Sequence, residues 1–178
     1  MATVAIRPAA PESPAEAAAL AAALLRNRAY MQPWEPRREE AYYTPEAQAE
    51  RLVDGARRWF AVDGENLVGA ITLTGIVLGP FRSGSLGYWV DEGYAGHGLA
   101  TALVEEACRA AVEEIGLHRV EASTLLHNHA SQRVLAKCGF ERVGTAPRYL
   151  HIDGDWRDHH LFQRILHDDP PAGYGVAS

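Results

Sequence analysis

Gly87-Tyr88-Trp89-Val90-Asp91-Glu92-Gly93-Tyr94-Ala95-Gly96-His97-Gly98-Leu99-Ala100-Thr101 is the stretch on which the fold turns. Ser85 to Val90 has strand composition, and glycines at 93, 96 and 98 then break it. From Gly98 the apolar residues Leu99, Leu103, Ala107, Ala111 and Ile115 recur every four positions, which predicts a long amphipathic helix that Gly116 ends. Strand, glycine turn and helix start together favour an anion site. The first turn of a helix has N–H groups without intrahelical partners, the helix dipole adds positive potential there, and glycines let the backbone approach a ligand closely. A pyrophosphate fits such a turn with no lysine; the same residues also suit a turn that only joins strand to helix.

Two known phosphate loops compete for the segment. The Walker pattern needs a lysine that is absent, which excludes a P-loop NTPase. Gly96-His97-Gly98-Leu99-Ala100-Thr101 is closer to the dinucleotide fingerprint G-x-G-x-x-G, with Glu121 about 20 residues on. Against it stand Thr101 at the sixth position, five residues between Val90 and Gly96, and a Glu121 inside its strand. The unit also comes too late in the chain for a doubly wound sheet.

Outward from this core, Thr3 to Arg7 reads as a strand closed by Pro8, and Ser13-Pro14 opens a helix running to about Arg28. Thr44-Pro45-Glu46 opens another. Between them, Tyr30 to Pro36 contains two prolines and Trp34, a packed connection or the lip of a substrate site. Trp59–Asp63 and Leu67–Leu73 form a hairpin around Gly64-Glu65-Asn66. Arg119–Leu126 is a strand, Ala130–Cys138 a helix, and Phe140–Ile152 with Trp156–Leu166 a closing hairpin around Asp153-Gly154. The pattern is a mixed α+β sheet, with one domain over residues 1–167 and a flexible tail over 168–178.

The 178 residues, 47% hydrophobic and 22% charged, suit one globular domain and exclude collagen, coiled coil and repeat arrays. Ala17 to Leu25 is apolar but covers only nine residues, lies between Glu16 and Arg26, and reads as a helix face; neither a membrane anchor nor a signal segment is expected. Cys108 and Cys138 are the only cysteines, which suits a reducing cytoplasm. A net charge of -6 disfavours nucleic acid as a ligand. The histidines, His127, His129, His159 and His160 among them, lack metal-ligand spacing, so no metal is expected.

Ala95-Gly96-His97-Gly98-Leu99-Ala100 resembles the acyl-CoA loop Q/R-x-x-G-x-G/A of the GNAT N-acetyltransferase superfamily, with Gly98 and Ala100 matching and Ala95 replacing the usual Gln or Arg. Further blocks extend the resemblance to the RimJ/RimL-type branch, the ribosomal-protein alanine N-acetyltransferases. Asn128-His129-Ala130-Ser131 with Leu135, Lys137 and Gly139-Phe140-Glu141 is similar to its N-x-x-S…L-x-K-x-G-F-E block. Tyr149 to His159 resembles its closing hairpin, and Asn27-Arg28 with Pro33-Trp34-Glu35-Pro36 its N-R…P-W-E-P segment.

The resemblance implies a single GNAT domain with a splayed, mostly antiparallel sheet of six or seven strands, acetyl-CoA as cosubstrate, and transfer of acetyl to a primary amine. The implied acceptor is the N-terminal α-amine of a ribosomal protein; a small-molecule amine or antibiotic, or an acyl-CoA sensor without turnover, are the alternatives. The cofactor residues it implies are Val90 and Asn128 on the pantetheine, with Ala95, Gly96, His97, Gly98, Leu99, Ala100 and Thr101 around the pyrophosphate. Ser131 is the implied partner of the coenzyme A sulfur, and Asn128, Glu121 and Tyr149 are further catalytic candidates, with His151 and His159 as rivals. Arg28, Trp34, Glu35 and Tyr88 are expected at the acceptor. Glu35, Glu39, Glu40, Glu46 and Glu50, partly offset by Arg37, Arg38 and Arg51, predict a mildly acidic rim suited to a cationic tail. A monomer or homodimer is expected.

Overall fold

A computed structural model describes residues 4–171 and 173. Strand β1 (Ala5–Pro8) leads into helix α1 (Pro14–Arg26), a single helical turn α2 (Arg28–Met31) and helix α3 (Pro45–Leu52). Strands β2 (Arg57–Asp63), β3 (Asn66–Val77) and β4 (Ser83–Val90) form a meander, followed by helix α4 (Leu99–Ala110), strand β5 (Arg119–Leu125) and helix α5 (His129–Lys137). The hairpin of β6 (Glu141–Ile152) and β7 (Asp155–Ile165) closes the chain. The seven strands make one sheet in the order β1-β2-β3-β4-β5-β7-β6, antiparallel throughout except between β4 and β5. The expected α+β sheet is the one observed. Of the tail expected over 168–178, residue 172 and residues 174–178 lie outside the described residues.

Local chemistry starts the helices where the sequence predicts. Ser13 Oγ accepts the Glu16 N–H at 3.3 Å and Thr44 Oγ1 the Ala47 N–H at 3.3 Å, each with proline at the first helical position. The first helix stops at Arg26 instead of Arg28, because Asn27 turns its amide back onto the Ala23 carbonyl at 2.9 Å and so closes the end. The long helix keeps its length but widens over Ala111–Ile115 into a π-helical turn, before Gly116 at φ +73° reverses the chain.

Alternation along the strands gives the sheet two buried faces. Phe60, Leu67 and Ala70 pack with Leu20, Leu24, Met31 and Leu52 under α1 and α3. Trp59, Ile71, Leu73 and Leu86 pack with Leu103, Val104, Val120 and Leu135 under α4 and α5. The pairing of β4 with β5 covers only Ser83–Leu86 against Arg119–Ala122. Beyond Leu86, Gly87 to Val90 remain paired with β3, while Ser123 to Leu125 remain paired with β7. The sheet therefore parts between β4 and β5, at the end from which the glycine loop leaves.

Candidate active site

The loop between β4 and α4 is held at its base by a polar clamp. Asp91 Oδ2 accepts from Arg26 Nε at 2.8 Å and Asn27 Nδ2 at 2.9 Å, Asp91 Oδ1 accepts from the Gly93 N–H at 3.1 Å, and Asn27 Oδ1 accepts from the Glu92 N–H at 3.0 Å. Burial works against the charge on Asp91, but the bonds from Asn27, Arg26 and Gly93 prevail and hold its carboxyl below the usual range. Tyr94 adds a bond of 2.5 Å from its hydroxyl to Asp63 Oδ2. Sequence reading missed this clamp, although Asn27 stands in one of the blocks that carry the family resemblance.

Past the clamp the backbone is exposed. Gly96 and Gly98 have φ of +78° and +85°, and a Cβ built on either meets no atom within 4 Å. Gly98 is the N-cap of α4, and no side chain caps that helix. The first-turn donors of a twelve-residue helix thus face an open cradle, next to a strand whose β5-facing backbone groups have no strand partner from Gly87 to Val90. An acyl-CoA fits both features: pyrophosphate over residues 96–101 and the amides of its pantetheine arm along Val90. Ala95 lies in this loop with no long side chain, which leaves backbone groups as the donors an anion could use here.

Asn128, Ser131 and Tyr88 meet on the α4 and α5 side of the parting. Asn128 Oδ1 caps α5 by accepting the Ser131 N–H at 3.1 Å. The Ser131 hydroxyl lies 2.7 Å from the Tyr88 hydroxyl, which also reaches the Ser131 carbonyl at 3.3 Å. Tyr88, expected with the acceptor residues, is thus placed with Ser131. On the same face, Thr124 Oγ1 is buried without a hydrogen-bond partner among the described residues.

Glu121 and Tyr149 sit elsewhere. Val120 and Ala122 belong to the α4 face, so Glu121 projects from the opposite one, where it ion-pairs with Arg119. Arg119 is held in turn by Gln163 Oε1 at 2.8 Å and Ser83 Oγ at 3.0 Å. Tyr149 stacks on His159 with ring centroids 5.6 Å apart, and His159 pairs across the sheet with Leu125, two strand positions from Ser123 on Glu121's face. His159 Nδ1 lies 3.0 Å from the Arg157 carbonyl, which can only accept, so this nitrogen is the donor. His151 meets Trp156 edge-on instead, with ring centroids 5.4 Å apart.

The segment from Tyr30 to Arg37 straps across this second face. Trp34, 38% exposed, stacks on His127 at 5.4 Å, one residue before Asn128. Asp153 in the β6–β7 turn accepts from Arg37 Nε at 3.0 Å and Gln32 Nε2 at 3.3 Å, and its N–H donates to the Glu35 carbonyl at 3.0 Å. Arg28 pairs with Glu40 at 2.6 Å and lies over the Tyr43 ring at 4.8 Å. The Glu35 side chain lines a recess of about 140 Å³ with Leu24, Arg28, Met31, Arg38 and Tyr43. Burial pushes its carboxyl up, against the pull of Arg38 and Arg51. Of the predicted acidic rim, Glu40 is thus ion-paired. Among the described residues no group of three or more His, Cys, Asp or Glu is placed to hold a metal ion, and no helix is long and apolar enough to cross a membrane.

The GNAT acetyltransferase domain model matches residues 4–141. The chain belongs to the GNAT acetyltransferase family. Its relatives include the [ribosomal protein uS5]-alanine N-acetyltransferase of Escherichia coli, 33% identical over 82% of this chain and 80% of that protein. The ribosomal-protein-S5-alanine acetyltransferase of Vibrio fischeri superposes with a TM-score of 0.86 at 32% identity, covering 93% of this chain and 94% of the other. RimJ of Mycobacterium smegmatis, solved with a CoA disulfide, gives 0.78 at 29% identity, covering 91% and 81%. This GNAT enzyme is an acetyl-CoA-dependent N-acetyltransferase, and the alternative of a sensor without turnover gives way to it.

Proposed function

We propose that the acceptor of this N-acetyltransferase is the N-terminal α-amine of a protein, a ribosomal protein foremost, and that the transfer takes place in the cytoplasm. The observation that carries this reading is the exposed Trp34 stacked on His127 at the mouth of the parted sheet, an apolar wall on open surface. The recess beside it, at about 140 Å³, is smaller than the roughly 300 Å³ at which ordinary small-molecule pockets begin. The relatives named for uS5 alanine acetylation support the same class of acceptor.

In this reading the two sheet faces divide the work. N–H groups of residues 96–101 hold the pyrophosphate, the free edge of β4 at Val90 and the Asn128 side chain hold the pantetheine arm, and Ser131 donates to the sulfur. The amine arrives from the face of Glu121, Tyr149 and His159, beside Trp34, Glu35 and Arg28. A terminal α-amine has a pKa of about 7.7–8.0, so much of it is already neutral near pH 7.5 and needs only a weak acceptor for its proton.

The test compares kcat/KM for an Ala-initiated basic peptide, the same peptide with its basic residues neutralised, and free small amines, at low and moderate salt. Both peptides are expected to outpace free amines, the basic one with an advantage that falls as salt rises. Free amines turning over far faster than either peptide would make a small molecule the acceptor.

A further inference from the structure

We propose that Tyr88 is a positioning residue for acetyl transfer, its phenol donating to the Ser131 hydroxyl so that the serine's own proton is turned into the parting between β4 and β5. The proposal rests on the acetyl-transfer reading of the site and moves Tyr88 from the acceptor role expected from sequence to one behind Ser131. The two residues are 43 positions apart and come together only because the sheet parts: Tyr88 leaves the ladder with β5 and turns to the first turn of α5.

The 2.7 Å contact between the two hydroxyls allows either to donate, and the proposal takes Tyr88 as the donor. Burial, its largest cause, pushes the Tyr88 phenol up to about 12 even though the bond to Ser131 pulls the other way, so the phenol stays protonated at physiological pH and has one proton to give. The acceptors within reach of that proton are Ser131 Oγ at 2.7 Å and the Ser131 carbonyl at 3.3 Å, and the proposal places it on the shorter contact. Asn128 Oδ1 is occupied by the Ser131 N–H. Ser131 Oγ–H is then left without an acceptor in this cluster and free to donate elsewhere. A hydroxyl that accepts one hydrogen bond also donates a stronger one.

During transfer the amine nitrogen's lone pair forms the new bond to the thioester carbonyl carbon, the C–S bond breaks, and its electron pair goes to sulfur. The surplus proton on nitrogen passes to solvent, and the thiolate takes its proton from solvent after leaving. Ser131 stays protonated and only hydrogen-bonds the sulfur as charge builds there, which is why a phenol near 12 behind it is no obstacle. In the proposal the Tyr88 phenol acts through Ser131.

The test is a double-mutant cycle of Tyr88→Phe and Ser131→Ala, with an Ala-initiated peptide and acetyl-CoA, read where circular dichroism shows every variant folded. Tyr88→Phe keeps the ring and is expected to lower kcat on the order of tenfold, with KM for acetyl-CoA unchanged within about twofold. The double variant should be no slower than Ser131→Ala alone. An undisturbed kcat in Tyr88→Phe, or losses that multiply in the double variant, would overturn the role of Tyr88 while leaving acetyl transfer standing. No turnover by the unaltered enzyme with any peptide or amine would overturn both.

Discussion

Replacing Gly98 by valine separates the two things this residue does. Its φ of +85° and ψ of −3° lie in the left-handed region, where an L-residue costs roughly 1–2 kcal/mol and a β-branched one somewhat more. For a chain of this length 1 kcal/mol moves Tm by about 2–4 °C, so the variant should melt roughly 2–8 °C lower. The added Cβ meets no protein atom within 4 Å, so no steric cost adds to the backbone one. The side chain projects instead into the cradle over the start of α4. Losing one hydrogen bond to a charged acceptor, ~1.5–3 kcal/mol, weakens binding on the order of 10- to 100-fold. Gly55, with φ +85° and an equally empty surround, lies in the turn after α3 and is the matched control. Calorimetry and thermal melts on Gly98→Val and Gly55→Val should show similar losses of Tm but a loss of acetyl-CoA affinity only in the first. Equal affinity in both variants would refute the placement of the pyrophosphate over residues 96–101.

Asp91→Asn should lower Tm at neutral pH and flatten its acid limb. A carboxyl held below its unfolded value of about 3.9 contributes stability that is full above that value and is lost as pH falls through the folded one, so melts between pH 3 and 7 should converge at the acid end; parallel profiles would show that the clamp carries no such linkage. Gly84→Ala places a Cβ 2.8 Å from Leu73 Cδ1 and 3.4 Å from Leu117 Cδ1 in the core, and should cost ~1–3 kcal/mol in urea unfolding with acetyl-CoA affinity intact. A neutral result would mean that Leu73 shifts rotamer freely.

Much of the fold is legible in the residues themselves because the forces that set it are local. Ser13-Pro14 and Thr44-Pro45 cap helices through bonds spanning three residues, the four-residue spacing from Leu99 to Ile115 writes an amphipathic face, and Gly96 and Gly98 permit a backbone that other residues resist. The proposed acyl-CoA loop is legible in the sequence for the same reason, since a glycine turn and a helix start without a side-chain cap are local features. Contacts between distant segments have no such local signature. Asn27 with Asp91, Arg37 with Asp153, and Tyr88 with Ser131 join residues 64, 116 and 43 positions apart, and each depends on strand register and on where the sheet parts. The sequence offers Glu121 and Tyr149 beside Ser131 as catalytic candidates without placing any of them relative to the others. Tertiary structure separates them, because alternation along β5 sends Glu121 to one face of the sheet while Ser131 lies on α5 against the other. A side chain's chemistry belongs to its residue, but the partner that directs it is decided by which face of a splayed sheet it occupies.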